Sequence, residues 1–469
     1  MTARRLSLLL LAMGQAASAH ADDEELKRTV ELLKAEVQRL AGRVGDLEEQ
    51  LQRQRRDAAR GESGAPASLS PLAADAAAKG ATAPAAPPAG AGNGYTIPGT
   101  DTSLTLGGFV KLDAIYNSVS AGAANIGDQQ LIAGAIPLNG QGERNQVTFH
   151  GKGSRLWLKA LTPTRLGDLT SYFEMEFFST QAPGEERTTN AYSPSLRHAY
   201  GSLGRFLAGQ TWSTFLNANA LPELNDSGGS VGRIYTRQPL IRWTQPFDGG
   251  DWQVALENPE TTLTGANGGR IVPDDDRYPD LVGKVGWRGD WGDVSVAGLT
   301  RQIRQDGGCQ GSPAGSGCNA PATQASSAWG GAVSVGGRLK TLGQDNLRFM
   351  LNYGNVLGRY TATNLFNDGV LSNDGRIRLT PSYSGFVAYQ HWWNEQWRST
   401  LVYGAAYADY AGQTPANANR MAQSVHANLL WSPLLKTTFG LEYIYATREI
   451  VSGQEGTLQR LQFMANYNF

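Results

Sequence analysis

The chain has 469 residues, a formal net charge of −1 and a mean hydropathy of −0.35. Near-neutral charge argues against a nucleic-acid binder. Beyond the N-terminus no run of about eighteen apolar residues occurs, so helices cannot carry the chain through a bilayer. A composition with 57 Gly, 17 Tyr and only 2 Cys points to one large, turn-rich β body.

Residues 1–21 read as a secretory signal peptide, with Arg4 and Arg5 before an apolar core from Leu6 to Met13 and small residues around Ala19-His20-Ala21. Residues 22–57 carry Leu26, Val30, Leu33, Val37, Leu40, Val44, Leu47 and Leu51, spaced alternately by four and three. That spacing predicts a coiled-coil helix, with Val at a and Leu at d, a choice that by itself favours two strands. Acids at Asp22 to Glu25 and bases at Arg53, Arg55, Arg56 and Arg60 suit the helix dipole. Residues 58–94, rich in Ala, Pro and Gly, cannot build a core and read as a linker.

From residue 95 to 469 the pattern is uniformly strand-like. Sixteen segments are predicted, at 104–117, 145–161, 168–180, 193–203, 204–212, 231–247, 251–259, 280–289, 291–303, 328–340, 346–357, 380–394, 395–410, 419–431, 437–448 and 456–469. Tight connections at Leu203-Gly204, Gly289-Asp290, Asn394-Glu395 and Ser432-Pro433 alternate with long ones such as 118–144, 213–230 and 358–379. Alternating short turns and long loops mark a transmembrane β-barrel rather than a sandwich. Charges opposite an apolar face, as where Glu174 and Glu176 oppose Phe173, Met175 and Phe177, imply a wet interior. Sixteen strands leave room for a channel. The chain is therefore read as an all-β, 16-stranded antiparallel transmembrane barrel with an N-terminal coiled-coil helix. Its register is expected to break near Gly151-Lys152-Gly153, where a bulge would keep Phe149 and Arg155 on opposite faces.

Cys309 and Cys318 lie in one long loop of an exported chain and are expected to form a disulfide. No HExxH, P-loop or Rossmann glycine pattern occurs and no strand-to-helix nucleophile elbow is read, so no catalytic residue, metal or cofactor is assigned. His198 is read as a surface histidine. The candidate pore residues are the bases opposite apolar faces: Lys111, Arg155, Lys159, Arg197, Arg242 and Arg348. Arg301, Arg338, Arg376, Arg378 and Arg398 are placed inward by the same rule. Inward bases in a narrow pore concentrate anions. Loop 213–230 follows the fifth strand and would narrow the pore if it folds inward, with Glu223 and Asp226 facing a basic wall. A plain surface loop is the competing reading.

The last strand, LQRLQFMANYNF, alternates an apolar face (Leu461, Phe463, Tyr467, Phe469) with a polar one (Gln462, Asn466, Asn468) and would close the barrel against the segment beginning near Leu104. Together with the coil, the Ala/Pro linker, GGFVKLDAIYN (107–117), RLWLKA (155–160) and GQTWSTF (209–215), it resembles the DcaP-like trimeric porins of Gram-negative outer membranes. The resemblance implies a homotrimer, a periplasmic N-terminal coil, and passive uptake of small anionic solutes such as dicarboxylates. Outer-membrane lipid and the barrel-assembly machinery, which would read the terminal Phe469, are the other expected partners. Two further classes stay open: an envelope tether acting through the N-terminal coil, and a rim-sited hydrolase, which would need a Ser–His pair.

Overall fold

The structure is a computed structural model. It describes residues 94–121, 126–178, 190, 192–306, 325–372, 374–410, 412 and 414–469. The signal peptide, the coil, the linker up to residue 93 and the Cys309–Cys318 disulfide expected above lie outside the described residues.

Sixteen strands form one closed antiparallel barrel. They are β1 (Ser103–Val119), β2 (Arg144–His150 continued by Arg155–Thr164), β3 (Gly167–Glu176), β4 (Ser195–Leu203), β5 (Phe206–Trp212), β6 (Arg237–Phe247), β7 (Gly250–Glu257) and β8 (Asp280–Gly289). The circuit continues through β9 (Gly292–Gln305), β10 (Ser326–Lys340), β11 (Asn346–Gly354), β12 (Ser382–Trp392), β13 (Trp397–Ala408), β14 (Asn419–Leu434), β15 (Thr437–Ile450) and β16 (Glu455–Asn468). Each strand pairs with its sequence neighbours, and β16 closes on β1 from Phe109↔Asn468 to Asn117↔Arg460. Closure leaves no unpaired edge to satisfy in lipid.

Period-two alternation decides the two faces. On β1, Val110 and Leu112 are exposed on the outside while Lys111 and Asp113 are buried within. On β16, Leu461, Phe463 and Tyr467 face out and Arg460, Gln462 and Asn466 face in. Exposed aromatic residues occur at both ends, with Trp252, Trp287, Trp291, Trp393 and Phe469 at the short-turn end and Trp329, Tyr353 and Tyr383 toward the long loops. Aromatic rings at both rims are what a barrel uses at the two membrane interfaces.

The break expected near Gly151 is present. Asp113 pairs with His150 and Phe109 with Arg155, so residues 151–154 bulge out of register opposite Lys111. There the Lys111 N–H donates to Ser154 Oγ at 3.0 Å. The expected turn at Ser432-Pro433 is displaced: β14 runs on to Leu434 through a register shift between Trp431 and Leu434. Proline lacks an N–H and is tolerated in a strand at such an irregularity. The segment expected as strand 231–247 starts only at Arg237, because residues before it turn inside the barrel. Over the long-loop end, Leu263–Thr264, Arg270–Ile271, Gly369–Leu371 and Ile377–Leu379 pair into a small separate sheet. Arg376 and Arg378 belong to this cap and are exposed, so their expected inward placement is wrong. Parity carries no inside–outside meaning once a strand leaves the wall.

Candidate functional site

The segment between β5 and β6 runs through the lumen and is held there by the wall. Lys284 Nζ donates to Leu216 O (3.1 Å), Asn217 Nδ2 to Gly336 O (2.9 Å) and Arg348 Nη1 to Leu221 O. Asn428 Nδ2 donates to Glu223 O (2.9 Å) and Lys111 Nζ to Asn225 O (2.7 Å), while the Val231 N–H donates to Ser424 Oγ (3.0 Å). These contacts reach strands from β8 round to β1. Gly232, at φ 84°, lies so close to the wall that a Cβ would stand 2.3 Å from Ala405 O and 2.4 Å from Gly385 O. Only glycine fits that backbone conformation and that approach.

Two ion pairs clamp the loop. Glu223 accepts from Arg398 Nε (2.8 Å) and Gln390 Nε2 (2.7 Å). Asp226 accepts from Arg460 Nη1 (2.6 Å) and from the N–H groups of Leu131 (2.9 Å) and Gly228 (2.7 Å). Burial opposes ionisation of Asp226, but Arg460 and the Leu131 N–H hold its carboxyl below the usual range. Both acids do face wall arginines, in direct contact with them. Their charge is spent on those partners rather than facing a free basic wall across open water.

Against loop residues 222–228 lies a cavity of about 190 Å³. Its lining carries five bases, Lys111, Arg155, Arg197, Arg233 and Arg237, against two acids, Glu176 and Asp226. Arg197 sits at a register shift between β3 and β4, which lets it and His198 both point inward. It binds Glu174 (2.6 Å) and Glu176 (2.6 Å). Arg155 shares those acids at 3.4 and 3.2 Å. Arg237 is 3.7 Å from Glu176 and lies over the Trp212 ring at 4.7 Å. Arg233 stacks on Tyr235 at 3.7 Å and donates to Ser227 O at 3.1 Å. No carboxylate among the described residues contacts Arg233. The surplus charge therefore sits mainly on Arg233 and Arg237. Tyr235 lies between them, outside the strands: burial opposes its ionisation, but Arg197, Arg233 and Arg237 pull its phenol down to about 8.

Four of the sequence candidates (Lys111, Arg155, Arg197 and Asp226) line this cavity. Lys159 shares the inward face of Arg155 but lies toward the short turns, in register with Thr105 and Tyr172. Arg242 reaches Thr214 Oγ1 (2.8 Å) and Trp212 O at the start of the loop. Arg348 and Glu223 serve loop anchorage. The sequence reading missed Arg233 and Arg237. Arg237 shares the parity of the outward Ile241, so alternation assigns it to lipid, and only the inward bend of the chain re-aims it. The signal available was the R-x-Y-x-R run of Arg233, Tyr235 and Arg237 beside a predicted inward loop.

His198 is buried, not at the surface, with Nδ1 at 3.0 Å from Thr211 Oγ1. A Ser–His–acid geometry does occur: His426 Nε2 is 3.2 Å from Ser424 Oγ and Nδ1 is 3.0 Å from Glu442 Oε1. All three are sealed beneath the loop, with Ser424 accepting from Val231 and Glu442 from the Asn225 N–H. A nucleophile needs room for substrate and oxyanion donors. This one has the loop backbone on top of it.

The DcaP outer membrane protein family matches residues 92–469. Among solved structures, the outer membrane channel DcaP of Acinetobacter baumannii superposes with a TM-score of 0.66 at 22% identity, covering 80% of this chain and 99% of that one. The likeness shows a common fold. More distant are OmpT of Vibrio cholerae (TM-score 0.48, 10% identity, 80% and 99% covered) and an anion-selective porin from Comamonas acidovorans (0.46, 12%, 78% and 100%). No curated protein sequence matches.

Proposed function

The chain belongs to the DcaP outer membrane protein family, and on that premise we propose that this outer-membrane channel passes small anions by passive diffusion. One observation carries the selectivity: a cavity beside the inward loop whose bases outnumber its acids, with Arg233 and Arg237 carrying the surplus. In a narrow lumen of reduced dielectric, fixed guanidinium charge raises the local anion concentration and repels cations. Each planar fork also matches a carboxylate, so small dicarboxylates are the proposed substrate class. The loop sets size, and the spread of charge over several side chains keeps binding weak enough for release.

Around this body we place a periplasmic N-terminal coil, an exported precursor and a homotrimer, with Phe469 presented to the assembly machinery. The decisive experiment is the zero-current potential of the purified protein in a planar bilayer under a salt gradient. Anion preference is expected. Cation preference would refute the selectivity, and absence of conductance would refute the channel. The tether reading is separated by deleting 22–94, which leaves conductance intact in a channel. A serine-hydrolase labelling probe should leave Ser424 unlabelled.

A further inference from the structure

Against the earlier part of the loop, residues 213–219, lies a second cavity, of about 320 Å³, nearer the short turns: its Tyr200 and Arg242 lie further toward those turns on β4 and β6 than Arg197 and Arg237 of the first cavity, and its Asp251, Arg288 and Asp293 flank the 248–249 and 290–291 turns. Two cations from neighbouring parts of the wall converge there. Lys284 on β8 donates to Leu216 O at 3.1 Å, and Arg242 on β6 reaches Thr214 and Trp212 O. Neither is in contact with a carboxylate among the described residues. Arg288, by contrast, is paired with Asp251, and Asp293 accepts from Asn217 Nδ2 at 3.1 Å. An ammonium has three donors and a guanidinium five. Lys284 uses one on protein and Arg242 two. Anchoring the loop therefore does not exhaust them, and a loop carbonyl does not neutralise a charge. Trp212 links the two cavities: the first cavity's Arg237 lies over its ring, and Trp212 is itself part of the second cavity's lining.

We propose that Lys284 and Arg242 form a second anion-binding site nearer the short turns, in series with the Arg233–Arg237 site and linked to it by Trp212. The inference rests on the anion-channel reading and adds a separate exit station, with small carboxylates as its ligands. Two weak sites in series along a constriction allow an arriving anion to displace the one ahead, so that binding and release coexist. Asp293 opposes the site, and its removal should strengthen it.

The test uses the intact protein in planar bilayers, with succinate as the probe added to one chamber at a time, and reads its association and dissociation rates from current fluctuations. The expectation is that the double variant K284Q/R242Q lowers succinate affinity at least fivefold from one chamber and less than twofold from the other, while D293N raises it from the same affected chamber. R233Q/R237Q should act mainly from the opposite chamber. Because Lys284 and Arg242 also hold the loop, conductance at high salt, where charge is screened, and the heat-modifiability shift on gels report whether it has moved; if it has, D293N, which removes no cation, decides, and an unchanged succinate affinity in D293N overturns the second site. An intact K284Q/R242Q channel with wild-type affinity from both chambers would overturn the second site and leave the anion channel standing, with these cations as loop anchors only. An equal loss from both chambers would likewise overturn it. Cation preference of the wild type would overturn the channel's anion selectivity itself.

Discussion

Arg301 and Arg233 are both buried within the lumen, and they do opposite things. Arg301 is held by Asp280 at 3.1 Å and Asp368 at 2.9 Å, with Tyr360 donating to Asp280 at 2.7 Å. Asp368 in turn takes the N–H and hydroxyl of Thr262 at 3.0 and 2.9 Å, tying the cap to the barrel. Arg301's charge is consumed in holding loops together. Among the described residues Arg233 has carbonyl and aromatic partners only, and it lines open space. Inward placement therefore does not make an arginine a selectivity residue; the position of the acids decides.

The largest effect is expected from breaking a consumed pair. Asp226→Ala strands Arg460 in the wall, and breaking a buried pair from one side costs about 3–5 kcal/mol. The temperature at which the folded species disappears from unheated gels should fall steeply, and the conductance of surviving channels should rise as the loop loosens. A wild-type transition temperature would show that the pair carries no load. Next comes R233Q/R237Q, which leaves no acid stranded. We expect the anion-to-cation permeability ratio to fall roughly fivefold, on the scale of charge focusing in clefts, with the gel transition unchanged. An unaltered ratio would move the selectivity elsewhere.

Deleting Phe469 tests a residue outside this comparison. The amount of assembled barrel should drop about severalfold, as abundance does for small folding defects, while the conductance of channels that do assemble stays normal. Normal amounts would leave the ring a girdle residue and nothing more. The smallest effect concerns Tyr235. Its phenol, lowered to about 8, gains a negative charge beside Arg197, Arg233, Arg237 and Glu176 as pH rises from 7 to 9.5. Added negative charge opposes anions, so anion preference should decline with rising pH, by about twofold. Tyr235→Phe should abolish that decline; a decline that persists would assign it to another group.

All sixteen strands were legible, because lipid on one side and water on the other force a period-two pattern onto every spanning segment. The same pattern placed Lys111, Arg155 and Arg197 inside and located the break at Gly151, since Phe149 and Arg155 cannot otherwise face opposite ways. It failed where the chain left the wall or its register slipped: Arg237 bends into the lumen against its parity, Arg376 and Arg378 join the cap, and His198 is turned inward by a register shift. Charge sign and parity can be read along a line. Which carboxylate meets which guanidinium depends on residues such as Glu223 and Arg398, 175 positions apart and in contact. The sequence by itself determined a barrel with bases and acids on a wet interior, because alternation is a local consequence of a two-faced solvent. Only the tertiary structure decided which of those bases keep a free charge, because neutralisation requires contact across the barrel.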